Sequence, residues 1–94
     1  MEELLEKYNS ELFKVGVNPK KCEDYCGEIG LMGLEDQKHQ LAHAHWMIRE
    51  LLDNKDLDEQ KRNRWLGFIQ GVMWCNKFRG ILELRKESKE IQNG

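Results

Sequence analysis

One proline in 94 residues leaves the backbone almost free of forced breaks. With Glu, Lys and Leu abundant, that scarcity points to an all-α chain. Three cysteines are an odd number, which suits a reducing compartment better than a disulfide framework. No run of 18 apolar residues exists, so no membrane-spanning helix is expected. The acidic start Met1-Glu2-Glu3-Leu4-Leu5-Glu6 does not follow a secretion-signal pattern, and a cytoplasmic location is expected. Basic surplus is also missing. Fifteen Lys and Arg face 17 Asp and Glu, a net charge of −2. A sequence-independent nucleic-acid binder needs the opposite balance to displace phosphate counterions, so nucleic acid is not the expected partner. The chain carries no glycine-rich phosphate loop after a strand, no nucleophile elbow and no convincing carboxylate pair for acid–base work. A non-enzymatic role is therefore expected, with no cofactor.

What is present fits one helical domain over residues 1–94. So short a chain buries roughly 60–65% of its unfolded surface, which limits the stability of a monomer. Leu4, Leu5, Tyr8, Leu12 and Val15 recur at helical spacing over 2–15, and Gly16 is a stop. Asn18-Pro19 offers a cap and a first-turn proline for a short second helix towards Glu28. A long third helix is expected over 34–53. Leu34, Leu41, His45, Ile48 and Leu52 face inward, and Glu35, His39, His43, Trp46 and Glu50 face outward. Asp56 and Glu59 have capping-box spacing for a fourth helix over 57–79, closed by Gly80. A polar fifth helix runs from Ile81 to about Ile91, its mixed charges reading as a solvated face. The short connection at 53–56 makes the two long helices an antiparallel hairpin, with three shorter helices flanking it in a small bundle.

The fourth expected helix is apolar on two sides. Trp65, Phe68, Ile69 and Val72 form one face, extended by Leu66 and Met73, and this face is expected to build the hairpin. Gly67, Gly71, Trp74 and Phe78 lie opposite. A glycine inside a helix costs about 0.8–1.0 kcal/mol relative to alanine, so two on one stripe suggest close approach by another backbone or a flat ligand. Arg64, Gly67, Gln70, Gly71, Trp74 and Phe78 are the candidate binding surface. The competing reading covers both faces with this chain's own helices. Arg64 beside aromatics suits an anionic, stackable ligand such as a nucleotide. Salt bridges to nearby carboxylates, and dipole compensation by Arg79 at the helix end, are the plainer explanation of these cations.

Cys22, Cys26, His39 and His43 meet the loose spacing of a two-Cys, two-His zinc site. Each pair is one helical turn apart, so the four could close a tetrahedron between two helices. The segment between the pairs has glycines where a finger's helix would begin, which favours small buried thiols and solvated histidines instead. His39, His43, Trp46 and Glu50 form a secondary candidate face. His45 falls among leucines and is expected to be a satisfied core histidine, bonded to Asn76 or Gln70. Cys75, near the apolar face, is expected to be inert.

At Trp46-Met47 and along Arg64–Trp74 the chain resembles a group of small proteins encoded by tailed bacteriophages. The group shows a His shortly before a Trp-Met pair, then a RWLGFIQG-type segment, then a Glu-Leu-Arg-type ending. Here those are His43, Trp46-Met47, Arg64–Trp74 and Glu83-Leu84-Arg85, spanning about residues 39 to 86. The resemblance implies a phage origin, and small phage accessory proteins often modulate or block host systems, defence included; the expected target in the host cytoplasm is a host protein or, from Arg64 beside aromatics, a nucleotide-like signal. Self-association through the glycine side is expected. The alternative is a zinc-stabilised or DNA-binding small regulator.

Overall fold

The computed structural model describes residues 1–21 and 34–93, the side chains of 34–38 and 90–93 excepted. Four helices follow one another: α1 Glu2–Lys14, α2 Leu34–Asp53, α3 Glu59–Cys75 and α4 Ile81–Asn93. No strand occurs among the described residues. The principal extents are 41 × 30 × 24 Å.

Leu5, Tyr8 and Leu12 share one face of α1 and are fully buried. The helix stops where the sequence says it should. Gly16 takes φ 83°, a left-handed conformation that a Cβ would penalise. Its N–H donates to the Phe13 carbonyl at 3.0 Å, and that of Val17 donates to the Leu12 carbonyl at 2.9 Å. These two bonds are a Schellman closure.

Beyond it the chain does not start the expected second helix. Residues 17–21 are irregular and lie along α2. The Lys20 N–H donates to the Ala42 carbonyl at 3.0 Å, and the Val17 carbonyl bonds the His45 ring at 2.8 Å. The rest of that expected helix lies outside the described residues.

α2 is central. It packs on α1 and on α3, so its buried arc is wider than a single inward stripe. Ala44, His45, Met47, Ile48 and Leu51 are buried, while His43, Trp46 and Leu52 are half-buried. Met47 joins the core although the pattern left it out. The expectation that Trp46 faces solvent is corrected by its contact with Trp65, ring centroids 5.9 Å apart. His43 meets Phe68 at 6.3 Å. Advancing along α2 from 43 to 46 thus means retreating along α3 from 68 to 65.

The ends of α3 differ from expectation. Its cap is Asp58, whose carboxylate accepts from the Lys61 N–H at 2.8 Å; Asp56 instead donates its N–H to Asn54 Oδ1 in a local turn. At the other end α3 closes after Cys75, four residues early. The Lys77 N–H donates to the Trp74 carbonyl and that of Phe78 to the Met73 carbonyl, at 3.0 and 2.8 Å. This is a second Schellman closure, built on Lys77 at φ 65° rather than on Gly80.

The core-facing side of α3 is Leu66, Ile69 and Met73, packed with Leu5, Tyr8, Leu12, Met47, Ile48 and Leu51. Burying a large apolar side chain contributes about 1.5–3 kcal/mol, so this cluster accounts for most of the fold's cohesion. Trp65 packs on its edge, but Phe68 remains 52% exposed. The core face is therefore turned from the one the helical wheel centred on Trp65, Phe68, Ile69 and Val72.

Candidate functional site

Four of the six candidate surface residues lie on the outward side of α3. Arg64, Gly67, Gly71 and Trp74 are exposed. A Cβ added at Gly67 or Gly71 would meet nothing within 4 Å, so neither α1 nor α4 packs against them. Trp74 is 49% exposed, and the half-exposed Phe68 flanks the glycines on the other side. Cys75, next to this strip, is a free thiol and exposed. The remaining two candidates turn inward. Phe78 packs against the core, and the Nε2 of Gln70 is buried without a hydrogen-bond partner among the described residues.

Phe68 joins this strip to a second group. His43 stacks on Trp46 with centroids 5.6 Å apart and an interplanar angle of 24°. Trp46 in turn meets Trp65. Lys21 places its ammonium 5.3 Å from the Trp46 ring centre, and Lys61 does the same over Trp65. Each is a cation–π contact, which leaves this aromatic seam with positive charge on its rim. Burial, followed by the nearby Lys21 cation, lowers the pKa of His43 and keeps its ring neutral. Of the secondary candidate face, His43 and Trp46 are thus in ring contact. His39 and Glu50 are half-buried on the same helix. Cys22 and Cys26 lie outside the described residues, and among the described ones no three His, Cys, Asp or Glu side chains gather.

Comparison of the chain with family models, curated proteins and solved structures gives no match. Function must therefore be read from the geometry.

Two polar centres were not foreseen in their observed form. His45 is fully buried, but its partners are Val17 and Asn9 rather than Asn76 or Gln70. A helix-to-helix reading could not find them, because they lie on α1 and on the irregular strap after it. The Val17 carbonyl only accepts, so Nδ1 carries a proton. Nε2 lies 2.6 Å from Asn9 Oδ1. Turning that amide by 180° lets its NH2 donate to a neutral ring. Burial favours this form and lowers the His45 pKa; the Val17 bond opposes the shift, and Arg49 adds slightly to it.

The other centre is Arg79. Only 7% exposed, it donates from Nε to Glu87 at 3.1 Å and from Nη2 to Glu11 at 2.7 Å. Its Nη1 donates to the Phe78 carbonyl at 2.8 Å. Its guanidinium also lies 5.0 Å from the centre of the Tyr8 ring, whose hydroxyl donates to Glu87 at 2.7 Å. Burial works against the Arg79 charge, but the bonds to Glu11 and Glu87 outweigh it and raise the pKa. Burial and the Glu87 bond likewise push the Tyr8 phenol well up. Dipole compensation by Arg79 and a solvated Glu87 are both corrected here. The hint available in the sequence was Tyr8, an aromatic with a polar tip on an otherwise aliphatic stripe.

Proposed function

We propose that this chain is a non-enzymatic binding protein, phage-encoded, that inhibits or sequesters a host component. Its contact region is the outward side of α3 together with the aromatic seam beside it. The observation that carries the reading is the exposure of Phe68 and Trp74 around two uncovered glycines, in a chain with little apolar surface to spare. The fold that goes with this reading is an antiparallel hairpin of α2 and α3, whose two rows of rings present the seam. Lys21 and Lys61 over Trp46 and Trp65 favour a partner with negative charge and flat groups, whether a protein surface or a nucleotide-like signal.

A photo-cross-linking residue placed at Phe68 in expressing bacteria tests the protein arm. One host protein should be captured, and the adduct should weaken when Trp65 is replaced by Ala. Thermal shift with linear and cyclic nucleotides tests the other arm. No host adduct and no nucleotide-induced shift would together remove the reading.

A further inference from the structure

We infer that the outward side of α3 is a two-fold interface with a second copy of this chain, the two α3 helices running antiparallel. The inference rests on the reading of this side as a contact face and names its occupant. Arg64, Gly67, Gly71 and Trp74 follow one another at intervals of three, four and three residues. That is the a/d spacing of a coiled-coil seam. It is also symmetric about the height of Ile69. An antiparallel copy centred there sets Gly67 against Gly71 of the second copy, and Gly71 against its Gly67. The same operation sets Arg64 against Trp74 of the second copy, twice over.

Both ends of that pairing are available. Arg64 is exposed and takes part in no hydrogen bond or ion pair with the other described residues, and Trp74 shows half its surface to solvent. A guanidinium over an indole is a favourable contact across an interface. At the centre, helices without Cβ atoms can approach closely, and a Cβ at either glycine has open space in the single chain. Phe68 lies beside the axis, one residue from its height, where it meets Phe68 of the second copy. A face whose charged end matches its own aromatic end is what an isologous dimer requires, since one patch must serve both sides.

The test is sedimentation equilibrium on the full chain. Wild type should reach a dimer. The variant G67A/G71A should dimerise at least about tenfold more weakly, a change of about 1.4 kcal/mol, while melting no lower than wild type. That melt separates lost association from lost folding. R64E and W74K should each weaken the dimer. The first sets a carboxylate against an indole, and the second sets two cations together. R64E/W74K should restore association, because an antiparallel register brings Glu against Lys. A wild-type monomer at the highest soluble concentration would overturn the inference. A dimer indifferent to G67A/G71A would do so too, as would failure of R64E/W74K to exceed both single variants. Association is read from the mass of the free chain, whereas host capture is read from a Phe68 adduct whose added mass is not that of a second copy, so the two readings fail separately.

Discussion

Lys77 sits at φ 65°, where its Cβ crowds the neighbouring backbone, because α3 closes there and no glycine is at hand. Lys77→Gly should therefore stabilise the chain by about 0.5–1 kcal/mol, the relief of strain outweighing the added freedom of the unfolded state. Urea unfolding would show this as a higher midpoint at unchanged slope. His45 supplies a pH dependence. Its folded pKa lies below the ordinary 6.5, so the unfolded chain binds the proton more readily than the folded one. Its contribution is present above the ordinary 6.5 and is lost as the pH falls from there through the lower folded pKa. His43 is shifted in the same direction and adds to the decline. The unfolding midpoint should thus drop as the pH falls below about 6.5, and H45Q should flatten that drop. An equal pH slope in H45Q would mean that His45 is not the titrating group.

Among its described side chains, α4 gives none to the main apolar cluster. Glu87, bonded to Tyr8 of α1 and to Arg79 at the α3–α4 junction, holds it in place. Removing one member of a buried ion pair costs about 3–5 kcal/mol, because the other is left charged without a partner. Glu87→Ala should loosen α4 by less than that, because Arg79 keeps Glu11 at 2.7 Å, and the loosening should show as faster amide exchange in α4 before the rest of the chain. The apolar pair R79M/E87L should recover only part of the loss, since it removes both buried charges but leaves the Glu11 carboxylate without its Arg79 partner. The exposed side of α3 behaves differently. Gly67→Ala and Gly71→Ala should each stabilise the single chain by about 0.8–1.0 kcal/mol, as helix propensity alone dictates where the added methyl meets nothing. A thermal melt at low concentration reads that effect apart from any association.

Across the molecule, legibility followed the range of the interactions. The all-helical class, the bounds of α2 and the stop at Gly16 depend on neighbours three to five residues away, and the sequence displays those neighbours. That Gly67, Gly71 and Trp74 share one side of α3 was legible too, because one helical wheel contains it, but that no Cβ on that side would meet a neighbour was not. The core face of α3 was read a step out, since apolar residues lie on both its sides and periodicity cannot say which side α2 will take. Placing the helix end at Gly80 failed for a related reason. Lys77 occupies a glycine's conformation because Phe78 reaches the core and fixes the turn.

No helix among the described residues is long and apolar enough to cross a membrane, in line with the chain's polar composition. The sequence by itself determined that helices form, where most of them begin, and that α3 has more apolar surface than one neighbour can cover. Those outcomes follow from backbone propensity and residue spacing, which act locally. Only the tertiary structure decided that Arg79 and Glu87 are buried, that Asn9 and Val17 satisfy His45, and that Phe68 stays half in solvent. Each depends on groups up to 79 residues apart, as Tyr8 and Glu87 are, and packing alone brings such groups within bonding distance.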